Sequence, residues 1–271
     1  MKALADTCRD LGYMFGIHDQ YRDYYFDAPT FDINNAITDA RGEHPQWSVW
    51  YGGPQTVLCE KLAPDYVRRN YAEFERLGIK IEGSYLDVFS VVALDECINP
   101  EHTMTREECV RFRGECFDIL TSKGIIPSSE ETIDCMLPYI ALCHHAPFYT
   151  SQWSDGDAVG IPIPLFNLVY HDAIVIPWFG SKGSRGGWGI PKNDNGFIHA
   201  ILNGDTVYCH ICSSKKCIEF LSPALGLHSR VATQEMLSHE FLDEGMRRQR
   251  TVFADGTSVE VDFDSDKFKI N

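Results

Sequence analysis

Positive charge is scarce in this sequence: 24 Lys and Arg stand against 39 Asp and Glu, for a formal net charge of −15. Nucleic acids and anionic membrane surfaces draw proteins in through a positive field, so neither is an expected partner. Long apolar runs are missing as well. The longest, residues 160–170, is interrupted by Pro162, Pro164 and Asn167 and falls short of the ~20 residues a spanning helix needs. The opening MKALADTCRDLG has no apolar core of the kind a secretory signal carries, which makes the cytoplasm the default compartment. No Gly-rich phosphate loop follows the first strand-like run, which argues against a nucleotide-binding sheet. There is no repeat of fixed period and no low-complexity tract. With 44% hydrophobic and 23% charged residues, the chain is globular in composition, not disordered.

Cysteine is not scarce, but the ten cysteines are scattered along the chain and build no small disulfide scaffold. Without an export signal, reduced thiols are expected. The one cluster, Cys209-His210-Ile211-Cys212 with Cys217 beyond it, has no second CxxC to complete a zinc site. Strand alternation would put Cys209 and Cys212 on opposite faces, so buried core cysteines are expected there; no metal and no cofactor are assigned.

What is present is an alternation of helix-like and strand-like segments. A helix over residues 2–11 is stopped by Gly12 and followed by the apolar run YMFGI, ending in His18-Asp19. An aromatic loop, YRDYYFDAPTFD, leads to a strand at 47–51 that breaks at Gly52-Gly53-Pro54. Pro64 opens a helix that Gly78 ends, and IKIEGSYLDVFSVV reads as a strand. Thr105 and Glu108 form a capping box for the next helix, after which IIPSSE is a short strand. MLPYIALCHHAPF and IPIPLFNLVYHDAIVIPWF are long enough for buried strands. A Gly/Ser-rich loop spans 181–195, and Asp255-Gly256 between alternating runs is the strongest hairpin signal.

Repeated helix–strand units predict an α/β fold with a parallel sheet. His18-Asp19, Asp87, Ser129-Glu130 and His171-Asp172 all fall at the C-terminal ends of apolar runs, the edge on which a (β/α)8 barrel builds its active site. The expected architecture is a TIM-barrel-type catalytic region over 1–195, then the barrel's end and a β-rich region over 196–271.

Asp87 lies among Ser84, Tyr85, Leu86, Val88 and Phe89, where a carboxylate is costly unless it faces a polar cavity. Taken alone it reads equally well as a structural cap. Glu130 and Glu131 read alone as first-turn acids of a helix. Together, carboxylates from the ends of different strands can point into one pocket, as glycosidases require: ~5–5.5 Å apart for retention, ~6.5–9.5 Å for inversion. Sugar-stacking aromatics are in supply: Tyr21, Tyr24, Tyr25, Phe26, Trp47, Trp50, Tyr51 and Trp153, each with core packing as its plainer role. His18-Asp19, His144-His145 and His171-Asp172 leave a metal-dependent hydrolase as an alternative, although only one member of each adjacent pair can enter a shared site.

The segments GYMFGIHDQYRDYYFDAPTFD, YLDV, PSSEE, IPLFNLVYHDAIVIPW and TVFADGTSVEVDF, in this order, resemble the catalytic region of glycoside hydrolase family 129, a relative of family 101. The resemblance implies a retaining α-N-acetylgalactosaminidase acting on O-glycans, a glycan substrate and no cofactor. It matches Asp87 to the nucleophile and Glu130 to the acid/base, with Glu131 as the fallback. His18, Asp19, Tyr85, Glu131, His171, Asp172, Trp50 and Trp153 would contact the sugar. Such enzymes carry a β-sandwich and the first barrel strands before the GIHD segment. This chain holds about five or six βα-like units, where a closed barrel takes eight and ~250 residues. It therefore looks like the C-terminal part of such an enzyme, with a non-catalytic carbohydrate-binding remnant as the alternative. The open strand edges favour pairing with a second copy.

Overall fold

The computed structural model describes residues 1–46, 48–144, 163–180, 190, 194–208 and 215–271. Trp47, His145, Trp153, Cys209, Cys212 and nearly all of the 181–195 loop lie outside them, and with them several of the expectations above. The chain forms two compact units, Met1–Leu142 and Cys143–Asn271.

The first unit opens with α1 (Lys2–Asp10) and β1 (Gly16–Asp19), and Gly12 makes the turn between them with φ +79°. Then come β2 (Asp23–Tyr25), β3 (Ser48–Trp50), β4 (Gly53–Val57), α2 (Ala63–Arg76), β5 (Gly83–Leu86), α3 (Arg106–Ser122) and β6 (Ile126–Ser129). β1, β5 and β6 lie side by side and parallel, and a short β7 (Leu142–Cys143) follows β6 in the same sheet. The helices form for the reasons the sequence announces. Pro64 sits in the first turn of α2 and Gly78 follows its end with φ +63°. Both halves of the Thr105/Glu108 capping box are made at the start of α3. α2 buries Ala63, Pro64, Val67 and Tyr71, and the Tyr71 hydroxyl donates to Ser84 Oγ on β5 at 2.5 Å. α3 buries Cys109, Cys116, Phe117 and Leu120, with Phe117 edge-on to Phe89.

The second unit contains α4 (Leu165–Tyr170), a parallel pair of β8 (Pro177–Trp178) and β9 (Thr206–Val207), α5 (Gly196–Asn203), α6 (Lys215–Val231) and the antiparallel sheet β10 (Met236–Phe241), β11 (Arg248–Phe253), β12 (Ser258–Asp262), β13 (Lys267–Ile270). Asp255-Gly256 turns the β11–β12 hairpin, with Gly256 at φ +88°. Residues 196–271, taken from sequence as barrel end and β-rich tail, thus hold α5, β9, α6 and this sheet.

The structure departs from the sequence expectations at several points. The aromatic loop and the Gly-Gly-Pro break are a three-stranded antiparallel sheet, β2-β4-β3, in which Tyr51-Gly52 turns the β3–β4 hairpin. Gly and Pro mark a turn here, not the end of the sheet. The strand expected over 79–92 is limited to Gly83–Leu86. The two Pro-punctuated apolar runs each hold a short strand, β7 and β8, but also helix, a 3-10 turn at Asp134–Tyr139 and α4, since apolar runs without clear periodicity fit a buried helix as well as a strand. Cys217 is disulfide-bonded, against the expectation of reduced thiols throughout, whereas Cys8, Cys59, Cys97, Cys109, Cys116, Cys135 and Cys143 are free. Among the described residues β1–β5, β5–β6 and β8–β9 pair in parallel, and no helix is long and apolar enough to cross a membrane.

Candidate active site

Register builds this site. Asp19 pairs with Leu86, and Leu86 with Ser129, across three adjacent parallel strands. The next residues, Gln20, Asp87 and Glu130, therefore stand level, one position past each strand end. Neighbouring strands are ~4.8 Å apart, so the two carboxylates leave the sheet side by side. The Asp87 N–H donates to the Asp19 carbonyl at 2.9 Å, extending the ladder by one bond. Val88 then turns the chain with φ +53°, a conformation that costs a β-branched residue on the order of 1–3 kcal/mol.

Two serines hold the carboxylate-bearing ends together. Ser129 Oγ donates to the Leu86 carbonyl at 2.5 Å and accepts from the Ser90 N–H at 3.2 Å. Ser90 Oγ in turn donates to the Glu131 carbonyl. The segment after Asp87 and the segment around Glu130 are thereby tied at buried positions.

Strand alternation then sorts the candidates by face. His18, Tyr85 and Ser128 lie on one face, which Gln20, Asp87 and Glu130 continue; Asp19, Leu86, Ser129 and Glu131 belong to the other. On the first face His18 packs on Tyr85 with ring centroids 4.8 Å apart, and its Nε2 is 3.7 Å from Asp87 Oδ1. Gln20 Nε2 donates to Asp87 Oδ2 at 3.4 Å. On the second face Asp19 accepts from the Tyr21 hydroxyl, which Asn70 of α2 contacts at 3.2 Å. Asp19 is committed to that interior network, which is not where the sugar-lining expectation put it. Burial raises its carboxyl above the usual range despite the Tyr21 hydrogen bond.

The acids differ accordingly. Burial, with the charges of Asp87 and Asp23 adding to it, pushes Glu130 up to about 7. Glu131 is 1% exposed, and burial followed by the charge of Glu130 pushes it up to about 8. Of the two glutamates, Glu130 is the one whose raised value includes the charge of Asp87. Asp23, on β2, is raised by burial and by Asp87, while Arg22 and a 2.9 Å bond from Gln55 pull it back. Sequence reasoning missed Asp23, which fell in the supposed loop, and Gln20, which lies between that loop and the strand ending in His18-Asp19. The alternation Asp23-Tyr24-Tyr25 against Gln55-Thr56-Val57 was the signal that could have found them.

Trp50 and Tyr51 stand at the tip of the β3–β4 hairpin, 65% and 98% exposed, with rings 5.3 Å apart. The tip reaches the site through Gly52: a Cβ there would come within 2.6 Å of the Tyr25 ring. Burial raises the Tyr25 hydroxyl, and the charges of Asp23 and Asp87 add to that.

The expected strand-end pair His171-Asp172 follows the helix α4 in the second unit. His171 is 3% exposed, its Nδ1 is 2.7 Å from the Gln234 carbonyl, and it packs on Phe253. That is the setting of a core histidine, and Asp172 beside it is exposed. His144 Nδ1 is 2.7 Å from the Tyr208 hydroxyl. Trp153 and His145 lie outside the described residues. Among the described residues, the three-ligand groups of His, Cys, Asp and Glu come to one, Cys59, Cys97 and His102, which does not include these histidines or the strand-end acids.

Paired carboxylates at neighbouring parallel strand ends, one of them raised toward neutrality by burial and by the charge of the other, are an arrangement that glycoside hydrolases use. Neither protein-family models nor curated proteins give a match. Solved structures do. The α-N-acetylgalactosaminidase NagBb from Bifidobacterium bifidum, ligand-free, is 44% identical over 100% of this chain and 44% of its own, with a TM-score of 0.90. Its complex with GalNAc matches at 43% identity, the same coverage and the same TM-score. A family 36 α-galactosidase from Geobacillus stearothermophilus, 15% identical over 96% of this chain and 38% of its own at a TM-score of 0.60, shares the fold alone. Along its whole length this chain is a relative of a family 129 enzyme, which bears out the resemblance read from the sequence, and it spans 44% of that enzyme's length.

Proposed function

We propose that this chain carries the catalytic carboxylates of a retaining glycoside hydrolase acting on α-linked N-acetylgalactosamine of O-glycans, its parallel sheet being part of a (β/α)8 barrel. The observation that carries the proposal is the level placement of Asp87 and Glu130 with Glu130 raised to about 7. The Asp87 carboxylate attacks the anomeric carbon while Glu130 gives its proton to the departing glycosidic oxygen. Glu130, now a carboxylate, takes a proton from water; the water oxygen attacks the same carbon and releases Asp87. Glu130 is assigned in preference to Glu131 because Asp87 acts on its charge and because Glu131 shares the buried face of Leu86 and Ser129. His18 and Gln20 hold Asp87, Tyr85 backs His18, and Trp50 offers a ring face to the sugar. The substrate class is supported by the name and the GalNAc complex of the 44% and 43% identical relative.

The test is turnover of an activated aryl α-N-acetylgalactosaminide. Asp87→Asn is expected to abolish it, and Glu130→Ala to lose activity that azide restores as the α-azide that retention requires. Unchanged turnover in Asp87→Asn would overturn the assignment. A carbohydrate-binding remnant would bind GalNAc glycosides in calorimetry without hydrolysing them.

A further inference from the structure

Away from the carboxylates, three soft ligands converge in an otherwise apolar part of the first unit. Cys59 and Cys97 are 0% and 4% exposed and His102 is 3% exposed, and their ligand atoms all lie within 4.8 Å of one another. Cys97 Sγ is 3.4 Å from His102 Nδ1. Ligands sharing one zinc ion at ordinary bond lengths stand roughly 3.6–4.0 Å apart, so little movement separates this cluster from a coordination shell.

The orientation of the imidazole is that of a ligand. His102 Nε2 is 2.7 Å from the Asn34 carbonyl, which can only accept a hydrogen bond, so Nε2 carries the proton. With Nε2 so engaged, Nδ1 is the ring nitrogen that faces the sulfurs. Cys97 Sγ accepts the backbone N–H of Thr38 at 3.3 Å. The His102 carbonyl lies 3.6 Å from Cys59 Sγ, an oxygen donor beside the same cluster. Around it pack Ile37, Val57, Met104 and Cys109. Two thiolates and a neutral imidazole carry two negative charges, which a divalent cation cancels, and a neutral site suits such a core.

We propose that Cys59, Cys97 and His102 bind a thiophilic divalent d10 cation, with Zn²⁺ as its reference ion, and that this ion is structural. Binding releases the thiol protons of Cys59 and Cys97 and forms two metal–sulfur bonds and one metal–nitrogen bond. The ion joins Cys59, which follows β4, to the long segment between Asp87 and α3, where Cys97 and Met104 also exchange backbone hydrogen bonds at 2.9 Å each. The site makes no use of the carboxylates, so its test is independent of the activity assigned above.

The reduced full chain is loaded with Zn²⁺, freed of excess metal, and assayed for metal content and by X-ray absorption. One equivalent per chain with two sulfurs and one imidazole in the shell is expected. Co²⁺ in its place should give a thiolate-to-cobalt charge-transfer band that Cys97→Ser loses and the control Cys135→Ser, at an exposed position, keeps. Removal of the ion by a chelator should lower the melting temperature. A folded wild-type chain that retains only substoichiometric metal, or an oxygen-and-nitrogen shell without sulfur, overturns the proposal. So does a band that survives Cys97→Ser. The wild-type measurements decide even if Cys97→Ser fails to fold.

Discussion

Asp87 and Glu130 stand level, one residue past the ends of neighbouring parallel strands, because Leu86 pairs with Ser129. A slip of one residue would exchange Glu130 for Glu131 and hand the position to a side chain on the opposite face. Ser129 bonds to the Leu86 carbonyl and to Ser90, and those bonds pin the register against that slip.

The pH profile of hydrolysis should report Glu130. In the proposed mechanism Glu130 gives up a proton and must be protonated, and burial, with the charges of Asp87 and Asp23 adding to it, raises it to about 7. We expect kcat/KM to fall on the alkaline side with an apparent pKa near that value. With an aryl leaving group that needs no proton, Glu130→Gln should flatten this limb in the glycosylation step. A limb left in place by Glu130→Gln would assign it to another group.

Glu131 makes the opposite kind of prediction, about stability. Its folded-state value of about 8 lies above the ordinary 4.5, so the folded chain holds a proton that the unfolded chain releases between these values. Stability is therefore lost as pH rises through that window and is retained below it. Glu131→Gln copies the neutral acid and should melt higher than the wild type at pH 8, with the difference closing by pH 5. Equal melting temperatures at both pH values would contradict the burial of this carboxyl.

Trp50 is 65% exposed at a hairpin tip and should contribute to binding more than to folding. Trp50→Ala is expected to change stability by no more than about 0.5 kcal/mol, the usual range for exposed sites. The loss should appear in KM for the sugar substrate, or in the calorimetric affinity for a GalNAc glycoside. Unaltered affinity would remove Trp50 from the site.

Arg113 is fully buried and donates to Glu60 at 2.7 Å, to Asp95 at 3.1 Å and to the carbonyls of Val92 and Ala93. Asp95 is also held by Arg22 at 3.0 Å. Arg113→Met strands the carboxylate of Glu60, itself 0% exposed, and should cost ~3–5 kcal/mol in chemical denaturation. Because the same guanidinium fastens the segment after Asp87, activity should fall along with stability.

The sequence by itself determined the local elements: the Pro64-to-Gly78 helix, the Thr105/Glu108 capping box and the Asp255-Gly256 hairpin, each formed by residues close along the chain. It also singled out Asp87, because a carboxylate among apolar residues is costly without a purpose, and Glu130 as its partner at another strand end, as the family resemblance implies. Tertiary structure decided what depends on distant partners. The β2-β4-β3 sheet pairs Asp23 with Val57 across an aromatic stretch whose own pattern spells loop. His171 and Asp172 ended a run that spells strand, and the structure makes it a helix whose histidine is bonded to Gln234. The separation of Glu130 from Glu131 required the register of β5 on β6, and the meeting of Cys59, Cys97 and His102 required the packing of two loops. Local chemistry is written in neighbouring residues; which face a side chain occupies, and beside whom, is set by strand pairing and burial across long stretches of chain.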